Sequence, residues 1–197
     1  EWECSHLLYL VVGCAVIWTG LQNFFGNDIL GFRFHSYSTH FGKSISTLGN
    51  LNFFSSYVCM FLALTAMMVL RGKHWFTRIF YYIGTIFGFG ALIFGNSDSG
   101  FFGVGILRLL LPMFVRNFSE LSRLMAVFAS LFISAKLLGI WIHSPDAQLK
   151  YYLSGFSQSL IDGVHGWVLF GVLLAAAVVF FIIGKLAPQV SFPSFIK

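Results

Sequence analysis

The chain has 197 residues, 57% of them apolar, 10% charged and 19% aromatic, with a mean hydropathy of +0.82. A soluble domain is roughly 45–50% apolar and about 25% charged, so this chain lacks the polar surface to cover a water-facing globule and reads as an all-α, polytopic integral membrane protein. Disorder, a collagen repeat and a disulfide scaffold fall away on the same arithmetic, and the formal charge of +5 comes from basic residues bordering apolar stretches, a membrane-flanking pattern rather than a nucleic-acid one.

A helix needs roughly 20 mostly apolar residues to cross a hydrocarbon core about 30 Å thick. The first expected span, residues 6–25, has no basic lead-in and no A-x-A-like cleavage site, so it reads as a non-cleaved span. A polar loop follows over residues 26–50. The second span is expected at 51–70 and the third at 75–94, where Gly84, Gly88 and Gly90 permit close helix packing. The fourth, 101–115, crosses only if it tilts or starts in the interface. The fifth is expected at 121–142 and the sixth at 164–186, after a second long loop at 143–163. Cys4, Cys14 and Cys59 act as small apolar residues. The whole chain, 1–197, forms one transmembrane helical domain of about six spans in this reading.

Cytoplasmic loops collect Lys and Arg. Arg71, Lys73 and Arg78 lie between spans two and three, Arg116 and Arg123 between four and five, and Lys185 and Lys197 after span six. The opposite side holds Arg33, Lys43 and Lys150. Both termini are therefore expected in the cytoplasm, with the two long loops outside.

Ionisable groups inside a span are expensive and mark candidate sites. Arg108 has two readings: a contact to an anionic head group, or a flank of a short span that snorkels towards the cytoplasmic surface. Lys136, two turns from His143, has a similar pair of readings, with reach towards the outer interface. The loop 26–50 is the densest stretch. Arg33, His35, Tyr37, His40 and Lys43 precede Ser44, Ser46, Thr47, Gly49 and Asn50, and cations with hydroxyls and a glycine turn suit a phosphate-bearing ligand. A polar interfacial loop is the plainer alternative. No metal site is expected, because His35 and His40 lack nearby ligand partners other than Asp28 and the distant Asp98. P-loop, zinc-helix and nucleophile-elbow motifs are absent. All seven acidic residues lie in loops or at span ends, which argues against a proton-driven carrier unless Lys136 or His165 serves instead.

The run Ser46-Thr47-Leu48-Gly49-Asn50-Leu51-Asn52-Phe53-Phe54-Ser55-Ser56-Tyr57 resembles the G-T-[FL]-G-N-x-N-x-[FL]-[AS]-x-[YF] signature of the O-antigen ligase and polysaccharide polymerase family of bacterial membrane proteins. A second stretch, Asn96-Ser97-Asp98-Ser99-Gly100-Phe101-Phe102-Gly103, is similar to the T-x-S-R-[GS]-x-x-x-G element that opens a later span there. Ser46 stands in place of the first signature glycine, and Asp98 where the family often has Arg. Family members are usually longer and carry a large outer loop with further Arg and His residues, so the resemblance implies a fragment, a truncated member or a degenerate relative.

The resemblance implies a metal-independent, cofactor-free glycosyltransferase in the bacterial cytoplasmic membrane, contacting membrane lipids and no nucleic acid. It would transfer glycan from a polyprenyl-diphosphate-linked donor to an acceptor glycan or lipid on the outer face. Arg33 and Lys43 would hold the diphosphate, and His35 or His40 would act as general base. Asn50, Asn52, Asp98 and Arg108 are further substrate-binding candidates, with Asn50 equally suited to cap the helix that follows. The rival readings are a small multi-span transporter or channel, and an accessory membrane subunit without catalysis.

Overall fold

A computed structural model describes residues 2–25, 27, 29, 46–95, 97–142, 153, 155–188, 190 and 192. The described residues form an all-α bundle without a β-strand. Its helices are α1 (Trp2–Phe24), α2 (Leu51–Arg71), α3 (Trp75–Gly95), α4 (Asp98–Leu110), α5 (Phe118–Ile142), α6 (Gly155–Asp162) and α7 (His165–Leu186), with 3-10 turns at Ser46–Leu48 and Leu111–Phe114. Five of them, α1, α2, α3, α5 and α7, are long and apolar enough to cross a membrane. The fourth expected span is α4, 13 residues long, continued by the 3-10 turn. Pro112 in that turn has no N–H to extend the α-helical ladder.

The boundaries follow local chemistry. Asn50 caps α2 by accepting the Asn52 N–H at 2.8 Å, and the Gly72 N–H closes its other end on Met68 O at 2.8 Å. Asn117 caps α5 by accepting the Glu120 N–H at 2.8 Å.

The core runs through α1, α2, α3 and α5. Phe24, Phe54, Phe61, Leu62 and Phe94 are fully buried in it, and the Phe24 and Phe94 rings lie 4.7 Å apart. Gly13 and Gly20 of α1 lie seven residues apart, as do Phe61 and Phe54 of α2. Each glycine faces one of those rings where a Cβ would overlap it. Small residues thus let α1 lie flat on α2, as transmembrane packing requires. Gly84 and Gly88 turn to Leu10, Thr65 and Leu62, whereas Gly90 faces Ser134 and Leu138 of α5. The third-span glycines therefore serve two helix contacts, because two residues rotate a helix by more than half a turn.

Serines join the remaining helices. Ser134 donates to Ile86 O at 2.8 Å, linking α5 to α3, and Ser122 donates to Ala177 O at 2.6 Å, linking α5 to α7. Arginines gather at one end. Arg71 pairs with Glu120 at 3.3 Å and donates to Phe114 O at 2.9 Å. Arg123 donates to Leu70 O at 2.7 Å, closing the C-terminus of α2. Arg116 joins them, its N–H donating to Glu120 at 2.8 Å.

Candidate functional site

The polar residues of the 46–57 and 97–103 segments meet at the opposite end. The first turn is built on two left-handed backbones, Ser46 at φ 56° and Gly49 at φ 68°. Glycine reaches this region without strain and serine does not. Two hydrogen bonds hold Ser46 there, from its N–H to Asn23 Oδ1 at 3.0 Å and from its hydroxyl to Val16 O at 2.6 Å. The turn is thereby tied to α1, and Asn50 follows it directly as the cap of α2.

Asn52, Ser55 and Cys59 then lie on one face of α2, at spacings of three and four residues. Asn52 Oδ1 accepts the Ser97 hydroxyl at 3.1 Å, and the Ser97 and Ser99 hydroxyls lie 2.7 Å apart. The Cys59 thiol donates to Gly100 O at 3.3 Å. Ser55 is wedged between them, where a Cβ on Gly95 would lie 3.1 Å from its hydroxyl and one on Gly100 would lie 3.0 Å from its Cβ. Its hydroxyl is buried and has no hydrogen-bond partner. One face of α2 thus grips the corner where α3 turns into α4.

The other candidates fall in different places. Asp98 is exposed in the first turn of α4, where a carboxylate complements the partial positive charge of a helix N-terminus. Arg108 lies one helix length away and does not snorkel to the arginine end. Its guanidinium crosses to α5, donates to Phe128 O at 3.3 Å and sits 5.4 Å from the ring centroids of Phe128 and Phe132. Its Nε is buried without a hydrogen-bond partner. Arg33, His35, His40 and Lys43 lie outside the described residues.

Lys136 is seated against protein carbonyls. It is 4% exposed, and its ammonium donates to Ile161 O at 2.7 Å and Gly163 O at 2.6 Å. The sequence offered no sign of that partner, since α6 is short and lies within the expected loop 143–163. The Ser122 and Ser134 bonds were equally unforeseen, although hydroxyls recurring inside an apolar span are a readable signal of helix-to-helix hydrogen bonding.

Among the described residues no three His, Cys, Asp or Glu side chains are grouped to hold a metal ion. The polar corner itself carries neutral donors and acceptors that bond one another and fix the backbone, with one exposed carboxylate, Asp98, beside them. Comparison with family models, curated proteins and solved structures gives no match to the chain.

Proposed function

We propose that the chain is a membrane-embedded glycosyltransferase of the O-antigen ligase and polysaccharide polymerase type, working in the bacterial cytoplasmic membrane. One observation carries the reading. The two segments that resemble that family's signatures share a single corner, joined through Asn52 and Ser97 across 45 residues of sequence. The arginines gather at the other end of the bundle, the distribution expected when the corner faces outward and both termini face the cytoplasm.

In this reading the donor is a polyprenyl-diphosphate-linked glycan and the acceptor is a glycan or lipid. The acceptor oxygen attacks the anomeric carbon while the bond from that carbon to the diphosphate oxygen breaks. Negative charge grows on the leaving diphosphate, where Arg33 and Lys43 are assigned to stabilise it. His35 or His40 accepts the proton of the acceptor hydroxyl. Asn50 and Asn52 keep the corner in register, and Asp98, exposed beside it, is assigned to substrate binding. Arg108 is the reserve cation deeper in the bundle.

Glycan transfer from polyprenyl-diphosphate donors in reconstituted membranes tests the assignment. Removing the base should lower transfer by about 10²–10⁴-fold, in either His35→Ala or His40→Ala, and Arg33→Ala and Lys43→Ala should each impair it. Undiminished transfer by all four variants removes these site residues. Failure of the unmodified protein with every donor removes the activity.

A further inference from the structure

An eight-residue helix is too short to be stable alone, so α6 depends on what it touches. Three contacts seat it. The Phe156 ring meets Phe101 of α4 edge-on, with centroids 4.7 Å apart. Ser157, fully buried, donates to Ile93 O of α3 at 3.2 Å. At its C-terminus, Ile161 packs beside Gly139 of α5, and Lys136 donates to the carbonyls of Ile161 and Gly163. The last carbonyls of a helix have no donors within it and carry its negative partial charge. An ammonium placed there satisfies the Ile161 carbonyl, adds a second donor to the Gly163 carbonyl, which also accepts the Gly166 N–H at 3.1 Å, and offsets the expense of burying the charge.

Gly166 makes this arrangement possible, since a Cβ there would lie 2.6 Å from Lys136 Cε and 3.2 Å from its Nζ. The lysine stem thus passes over the start of α7 to reach the end of α6.

We propose that α6 is a cover on the α3–α4 corner and that Lys136 is the latch that holds it closed. When the latch is lost, the buried Ile161 carbonyl is orphaned and the Gly163 carbonyl keeps only the Gly166 N–H, at 3.1 Å; α6 then leaves towards water, where the Ile161 carbonyl is solvated. Departure uncovers Ile93 and Phe101, beside the Ser97 and Ser55 cluster. The inference stands on the packing of α6 and is independent of the transfer reaction.

The test uses a background of Cys4→Ala, Cys14→Ala and Cys59→Ser in detergent micelles, with a charged, water-soluble maleimide. Ser157→Cys reports the buried face of α6, Ser159→Cys its exposed face, and Val127→Cys the core of α5. With Lys136 present, position 157 should react far more slowly than position 159. Lys136→Met should speed labelling at 157 by about tenfold or more, the effect of losing two charge-assisted hydrogen bonds, while position 127 stays slow. Equal rates at 157 with and without Lys136, or a rate at 157 matching 159 in the parent protein, overturn the proposal. If Lys136→Met also opens position 127, Gly166→Ala decides, because it displaces the ammonium while keeping the lysine. Faster labelling at 157 alone supports the latch, and an unchanged rate overturns it.

Discussion

The Ser46 turn shows how much one backbone angle decides. Its φ of 56° costs about 1–2 kcal/mol for a residue with a Cβ, and its hydroxyl bond to Val16 O returns a similar amount, about 1 kcal/mol. Ser46→Gly should therefore leave the thermal midpoint in micelles nearly unchanged, exchanging strain relief for a lost bond. Ser46→Ala keeps the strain and loses the bond, and should lower stability by about 1–2 kcal/mol. Gly49→Ala, at φ 68° with open space around it, should cost about 1–2 kcal/mol through strain alone. Equal damage from Ser46→Gly and Ser46→Ala would mean that strain is not what the hydroxyl offsets. The order of Ser, Gly and Asn residues here is plain in the sequence, and so was the capping role of Asn50. The left-handed angles were not, because periodicity carries no information about φ. Nor was the seat of Lys136, which depends on a carbonyl pair 25 and 27 residues away.

At the scale of elements, the long helices were legible because an apolar run of spanning length admits few other structures. The short helix α6 was not, since its eight residues, Gly155–Asp162, mix polar and apolar side chains and are too few for a periodic pattern to emerge. Helix α7 was visible as a span, but which face it packs was hidden by apolar residues all round it. Packing resolves this. Its contact face holds Gly166, Ala177 and Gly184, and at Gly184 a Cβ would already lie 3.0 Å from the backbone nitrogen of Ser119. Backbone cannot step aside as a side-chain tip can. Gly184→Leu should thus separate α7 from α5 and destabilise the bundle by about 1–3 kcal/mol. Gly171, on the same helix, has nothing within 4 Å of a Cβ, and Gly171→Leu should be neutral or mildly stabilising through helix propensity. Thermal unfolding of the two variants in one detergent makes the comparison. Equal losses would show that α7 is held by something other than this face.

Across the whole molecule, the two ends of the bundle are chemically unlike, and the difference comes from which charges local structure can use. At one end Arg71 and Arg123 close helix C-termini or join them to Glu120, so these cations are built into the fold as well as marking a membrane side. At the other end the α2–α3–α4 corner is joined by neutral Asn, Ser and Cys groups, the Lys136 ammonium is used to seat α6, and Asp98 stands exposed. Since Lys and Arg set orientation and Asp and Glu contribute little, the arginine end should lie in the cytoplasm. Single cysteines test this in intact cells, in a background lacking Cys4, Cys14 and Cys59. Asp98→Cys, at an exposed position of the polar end, should react with an impermeant thiol reagent added outside. Lys73→Cys, exposed at the arginine end, should react only after permeabilisation. The reverse pattern would invert the molecule, place the Asn52–Ser97 corner in the cytoplasm, and separate it from any acceptor on the outer face.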